Sequence, residues 1–304
     1  MRDAVCLPDY AGSLLRGQFG AALRGVACMT RQPVCTGCPL LVTCPYSRVF
    51  EAAPSPAHSL QKFSAIPNAY VIEPPAIGVT QLRADDALVF NMVLAGDARS
   101  QLALIIFAWQ RALAQGLTKS RSAAHLQSVE WIDASGTPCL IWHSDKPTLA
   151  DHPDTLDIPQ PPTAVLQDVA LHIHTPLRLQ QQGQPLREHQ LTPRTLVAAI
   201  ARRMALVMEF HAGQPAWGAQ VPAVVRHAEA LADQRDLHWH DWTRYSSRQQ
   251  QEMTLGGLLG CWTLHGAPDT MAALWPWLWL GQWLHVGKNA TMGMGGYTLK
   301  EVIQ

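Results

Sequence analysis

The chain lacks a membrane span. Its longest uncharged apolar segment, Ala272 to Leu284, is studded with tryptophan and falls short of the ~18 residues that a membrane helix needs. No hydrophobic leader follows Met1-Arg2-Asp3, so no signal peptide is expected and cytoplasmic placement is the default. Net charge is also missing: 23 Lys+Arg balance 23 Asp+Glu. That argues against a generic nucleic-acid coater, which carries a basic excess. Lysine is scarce, 5 against 18 arginines, and arginine is the cation suited to bidentate phosphate and base-edge contacts. The first 57 residues contain no histidine, and so no imidazole for proton transfer near neutral pH.

What is present is a core-rich chain, 48% hydrophobic and 15% charged over 304 residues. That composition is globular, and the length suits two domains. Residues 1–50 carry net +3, residues 51–176 net −5 and residues 177–304 net +2.

Periodicity predicts a short strand at Ala4 to Leu7, then a helix from Gly12 to Cys28 with Leu14, Leu15, Phe19, Ala22, Leu23 and Val26 at helical spacing. Arg16 and Arg24, eight apart, share one side of it. Strands are expected at Ala69 to Glu73 and Ala87 to Val93, and a helix at Asp97 to Gln115. A hairpin is expected at Ser128 to Ile132 with Pro138 to His143. Residues 151–164, rich in proline and aspartate, read as a linker between domains at 1–150 and 165–304. The order then restarts: a strand over 165–179, a helix from Pro193 to Phe210 behind Thr192, and paired strands at Leu237 to Tyr245 and Thr254 to Leu264. A helix over 269–284 and a last strand complete it. Repetition of one β-α-β-β-α-β order suggests a tandem α+β duplication.

Three local patterns carry chemistry. Cys28, Cys35, Cys38 and Cys44 fall within 17 residues. A Cys-x-x-Cys knuckle with flanking thiols favours metal over disulfide in a cytosolic protein. Zinc in a closed structural site is the first choice and an iron–sulfur cluster the alternative; free thiols are the bland reading. The second pattern is the glycine-rich loop Gly287-Lys288-Asn289 to Gly293-Met294-Gly295-Gly296. Successive N–H groups there could meet phosphate oxygens, with Lys288 adding a cation; alternatively the glycines only relieve crowding. The third is Trp242, Arg244, Tyr245 and Arg248, a basic–aromatic segment suited to phosphates and stacked bases; alternatively it is a solvated hairpin with a core tryptophan. Trp275, Trp277 and Trp279 do not follow one helix face and are expected in the core.

Taken together in order, these motifs resemble the RAMP superfamily of CRISPR-associated proteins, and within it the repeat-RNA-processing endoribonucleases. The glycine loop, Leu14-Leu15-Arg16-Gly17, the cysteine cluster leading to Cys44-Pro45-Tyr46, Thr175-Pro176-Leu177-Arg178 and the segment around Trp242 carry the resemblance. It implies two tandem ferredoxin-like (RRM-like) domains, with a cysteine-rich insertion in the first and the glycine loop at the end of the second. It also implies binding of a CRISPR repeat hairpin and one metal-independent cut at its 3′ base. The 2′-OH attacks, leaving a 2′,3′-cyclic phosphate and a 5′-OH, and the enzyme stays on the mature crRNA among other effector subunits. A catalytically silent RAMP subunit that only caps RNA is the alternative. Histidine on the first helix is the family's usual acid/base. Here Arg16, Arg24 and Arg31 take that place as transition-state stabilisers, and His285 is added as a candidate. His238 and His240, alternating on a predicted strand, are runners-up. Expected RNA contacts are Arg178, Trp242, Arg244, Tyr245, Arg248, Gly287, Lys288, Asn289, Gly293 and Gly295. No membrane partner and no catalytic cofactor are expected.

Overall fold

A computed structural model of the chain describes residues 1–52, 66–153, 157–162, 167–246 and 251–301. The second half is the more regular. It comprises β7 (Asp168–Leu177), a small hairpin of β8 (Gln180–Gln181) and β9 (Gln184–Pro185), α4 (Pro193–Ala212), α5 (Ala216–Glu229), β10 (Ala232–Ser246), β11 (Gln251–His265), α6 (Pro268–Leu284) and β12 (Tyr297–Glu301). Four strands pair antiparallel in the order β10-β11-β7-β12. The first strand is central and the last lies at the edge beside it, a ferredoxin-like arrangement.

Local chemistry fixes these elements. Thr192 caps α4, its hydroxyl accepting from the Thr195 N–H, and Pro193 occupies the first turn. Gly213 ends the helix in the left-handed region at φ 65°. α5 escaped the periodicity reading: it buries only Val224 and Ala228 and contains Pro222. α4 and α6 cover one face of the sheet. Val169, Leu171 and Ile173 meet Leu196, Ile200, Met204, Leu274 and Leu278 there. Trp275, Trp277 and Trp279 are buried as expected. The expected linker is partly docked on this domain, since Trp275 Nε1 donates to Pro159 O at 2.7 Å.

The first half repeats the element order with a broken sheet. It contains β1 (Val5–Leu7), α1 (Gly12–Ala27), α2 (Pro45–Phe50), β2 (Tyr70–Glu73), β3 (Thr80–Leu82), β4 (Asn91–Leu94), α3 (Leu102–Gln115), β5 (Ser128–Ile132) and β6 (Pro138–His143). β1 pairs with β3, β2 with β4, and β5 with β6, each antiparallel. The hairpin expected to close this sheet pairs only with itself among the described residues. Pro74 and Pro75 follow β2 directly and supply no ladder donors. The helix expected from Asp97 begins as a 3-10 turn, Gly96–Gln101. α1 and α3 pack through stacked Phe19 and Trp109 rings, centroids 5.0 Å apart.

A third, small cluster joins the halves: Tyr10 from the first, with Trp242, Leu255, Met292 and Met294 from the second. Among the described residues no helix is long and apolar enough to cross a membrane.

Candidate functional site

The glycine-rich loop runs from α6 back to β12 and lies against the first domain. At its start, His285 has φ 55° and is fully buried. Its Nδ1 lies 2.9 Å from Gly293 O, and its Nε2 lies 3.1 Å from Glu73 Oε1 of the first domain. Burial pushes the Glu73 carboxyl up, but bonds from His285 and Asn91 and the His285 charge outweigh it and hold Glu73 below the usual carboxylate range. With both ring nitrogens engaged and no exposed surface, His285 is an interdomain strut here. That corrects its placement as an acid/base facing RNA.

Several of the loop's amides are occupied too. Lys288 N donates to Arg178 O (2.8 Å), Gly293 N to Ala290 O (2.8 Å) and Gly295 N to Pro176 O (3.1 Å). Gly296 N donates to Thr175 Oγ1 at 2.7 Å. A Cβ on Gly293, at φ 89°, would lie 2.5 Å from Pro74 Cδ, and one on Gly295, at φ 73°, would lie 1.8 Å from Val286 O. These glycines serve close packing, so the phosphate-cradle expectation is corrected for Gly293 and Gly295. Lys288 alone in the loop core is exposed, with Gly287 and Asn289 half-buried beside it. The loop abuts the start of α1, where Tyr10 Oη donates to Met292 O at 2.9 Å.

The arginines lie elsewhere. Arg16 stacks over the Phe50 ring at 4.5 Å, and its Nε is buried without a partner. Arg24 sits over Tyr46 at 5.7 Å and donates to the Gln32 and Pro33 carbonyls. It thereby pins the cysteine loop onto α1. Arg31 is exposed with φ 53°. Arg24 is twelve residues beyond Gly12, about 18 Å along the helix, whereas Gly12 touches the glycine loop. Arg16, Arg24, Arg31 and His285 therefore do not form one site.

The four cysteines converge on one pocket, lined by Cys28, Cys35, Cys38 and Cys44 with Thr30, Tyr46 and Ser47. All are unpaired. Thr30 Oγ1 lies 3.5 Å from Cys38 Sγ. A backbone hydrogen bond at Arg31 leads the effects that lower the Cys28 thiol, while burial, then Glu51, pushes Cys35 up to about 11. Among the described residues no three His, Cys, Asp or Glu side chains are set closely enough to hold a metal ion.

The uncovered face of the second sheet is rich in imidazole. His172 and His174 on β7 and His238 on β10 are exposed, and His240 is half-buried. His240 Nε2 lies 3.1 Å from Asp9 Oδ2, across the domain junction. Next to that pair, the Tyr10 and Trp242 rings pack at 4.7 Å. Trp242 is only 4% exposed, which corrects its expected role in base stacking: its ring is a wall of the joint. Arg244 and Tyr245 fall opposite Met253 and Glu252 in the β10–β11 ladder, and Arg248 lies outside the described residues. Arg178 donates to Gly256 O at 2.8 Å. Burial, and then the charge of Arg187, holds its guanidinium below the ordinary arginine value. Because Arg178 O also accepts from Lys288 N, two expected RNA-contact cations share one edge of this domain.

A family model for an N-terminal domain matches residues 1–154, and the model for the CRISPR-associated endoribonuclease Cas6 matches residues 171–297. The second half of the chain thus carries a domain of the Cas6 family of CRISPR-associated endoribonucleases. A solved Cas6 product complex is 18% identical, covers 99% of this chain and 100% of that one, and superposes with a TM-score of 0.58. That likeness establishes the tandem ferredoxin-like α+β fold. Thermus thermophilus Cas6 is 16% identical over 98% of this chain and 97% of that one, with a TM-score of 0.48. A Cas6-related protein from Pyrococcus furiosus is 10% identical over 100% and 96%, with a TM-score of 0.45. No curated protein matches the chain in sequence.

Through its Cas6 domain the chain is a CRISPR-associated endoribonuclease of the repeat-RNA-processing type. Two of its site-forming residues left no signal in sequence. Asp9 and Glu73 are ordinary acids in the chain, and only domain packing sets them against His240 and His285. His240 could be marked by its alternation with His238, but its partner could not.

Proposed function

We propose that this chain binds the CRISPR repeat hairpin and cuts once at its 3′ base by attack of the 2′-OH on the adjacent phosphate. The products are a 2′,3′-cyclic phosphate and a 5′-OH. The reaction uses no catalytic metal, and the chain remains on the mature crRNA within an effector complex. The observation that carries this reading is the uncovered, imidazole-bearing sheet face, which ends at the domain junction while Arg178 and Lys288 share a nearby edge. In-line transesterification requires a base at the 2′-oxygen, proton supply at the 5′-oxygen and cations near phosphorus. Imidazoles and guanidinium groups meet those needs without a Lewis acid. Arg178, Lys288, Arg244, Tyr245 and Arg248 are the proposed RNA contacts, and Arg31 is an exposed arginine of the first domain available to phosphate.

The test is digestion of end-labelled repeat RNA in buffer free of added divalent ions, and again with Mg²⁺, with end analysis of the fragments and gel filtration of the product complex. One cut, a cyclic phosphate and co-elution of RNA support every part. Metal-dependent cutting, or fragments that leave the protein at once, overturns the corresponding part. Tight binding with no cut favours the silent capping subunit.

We further propose that Cys28, Cys35, Cys38 and Cys44 hold a structural Zn²⁺. Four thiols line one pocket, and Arg24 fixes the loop that carries them. A four-sulfur site leaves no open position for catalysis and ties the loop to the fold. Metal analysis of the purified chain checks this: about one zinc per chain supports it, iron with labile sulfide supports the cluster alternative, and neither metal overturns both.

A further inference from the structure

The described residues contain several histidines paired with carboxylates, and their settings differ. His285 meets Glu73 but has no exposed surface. His265 meets Asp168 at 2.6 Å, within one domain and at the far end of β7 from the glycine loop. His143 lies 3.7 Å from Asp145 on the β5–β6 hairpin side of the first domain. His240 and Asp9 alone combine contact across the domain junction with access to solvent. Their side chains are 27% and 40% exposed and lie 3.1 Å apart.

The pair is built into the joint. Asp9 immediately precedes Tyr10, and its carbonyl accepts from Gly78 N at 2.9 Å, which fixes the turn. His240 is two residues from Trp242 on the same face of β10. Packing of Tyr10 on Trp242 therefore aligns Asp9 with His240. In the neutral ring the carboxylate accepts from Nε2–H, so the lone pair is left on Nδ1. This is the arrangement of a general base: an imidazole with a free acceptor nitrogen, oriented by a carboxylate behind it.

We infer that His240 is the general base of the RNA-cleaving reaction and that Asp9 is its positioning residue. The inference rests on the 2′-OH mechanism proposed above. The 2′-OH gives its proton to His240 Nδ1 as the 2′-oxygen bonds to phosphorus. The bond from phosphorus to the 5′-oxygen breaks, and that oxygen takes a proton from solvent water. The imidazolium then releases its proton to the hydroxide so formed, restoring the starting state. The base thus comes from the second domain, which accounts for a first helix without histidine.

The test uses the full chain in excess over labelled repeat RNA, in buffer free of added divalent ions, with single-turnover cleavage measured beside affinity for a repeat that lacks the 2′-OH at the cut site. His240→Gln is expected to slow cleavage by about 10²-fold or more, the usual share of a general base, with affinity unchanged. Added imidazole should restore part of the rate in His240→Gly. Asp9→Asn should slow cleavage at constant affinity, and should add nothing in the His240→Gln background, because residues that act as a unit are non-additive. His265→Gln should cleave as the parent does. A His240→Gln rate near the parent's, or affinity lost in step with rate, overturns the assignment while the parent's own cleavage leaves the 2′-OH mechanism standing. A parent that cuts the 2′-deoxy repeat overturns the mechanism itself.

Discussion

Two glycines on α1 respond to alanine in opposite directions. Gly17 is exposed, and a Cβ there meets nothing within 4 Å. Gly17→Ala should therefore gain the ordinary helix-propensity difference, about 0.8–1 kcal/mol. Gly12, the first residue of the helix, has at most that propensity to gain, and its Cβ would stand 1.9 Å from Met292 O and 2.9 Å from a Tyr10 ring carbon. The carbonyl cannot swing away freely, because it accepts the Tyr10 hydroxyl at 2.9 Å. Overpacking of this kind opposes folding by about 1–3 kcal/mol or more. With the propensity gain set against it, the net for Gly12→Ala is a loss of up to about 2 kcal/mol. The clash also pushes the glycine loop off α1. Urea unfolding, followed by both circular dichroism and tryptophan fluorescence, compares the midpoints without assuming that two domains unfold as one. Limited proteolysis reports loosening of the joint. A Gly12→Ala variant as stable as Gly17→Ala would refute the contact between α1 and the loop, and with it the joint on which the proposed active site depends.

Glu73→Gln keeps an acceptor for His285 but removes the charge, so it should lower stability at neutral pH by about 1 kcal/mol, the margin between a charge-assisted and a neutral hydrogen bond. The folded-state Glu73 value is depressed, so its contribution is present above the unfolded carboxylate value and disappears as pH falls through the folded one. Thermal melts across that range should show the parent and variant converging in acid; parallel curves would dismiss the pair. Trp242→Ala should destabilise the chain by about 3–5 kcal/mol, as truncation of a buried aromatic does. A stable variant with a selective loss of RNA affinity would instead return Trp242 to base stacking. Lys288→Ala should weaken repeat binding and reduce the salt dependence of affinity by about one phosphate contact; unchanged filter-binding curves at two salt concentrations would remove Lys288 from the interface. Cys38→Ser should lower bound zinc and speed proteolysis of the cysteine loop, while equal metal content would exclude Cys38 as a ligand.

Much of the second domain could be read from local pattern. Thr192-Pro193 and Gly213 mark the ends of α4 because caps are local chemistry, and period-two alternation exposed β7 and β10. The tryptophans of α6 belong to the core by pattern, since no helical stripe accommodates them. α2 and α5 carry no such signal: the first has six residues, and the second buries too little to show a periodic face.

The sequence by itself determined the repeated element order, the family and the gathering of four cysteines, because each is encoded by residues near one another in the chain. Only the tertiary structure decided the site. A glycine-rich run has the same signature whether a phosphate or a neighbouring backbone lies against it, and here Pro74, Ile72 and Val286 fill the space. Arg16 and Arg24 look equally available on a helical wheel, but Phe50, Tyr46 and the cysteine loop occupy them. Asp9 and His240 stand 231 residues apart, and no local rule relates them. Their contact exists because two separately cored domains pack through Tyr10 and Trp242, and packing at that distance is a property of the folded surfaces.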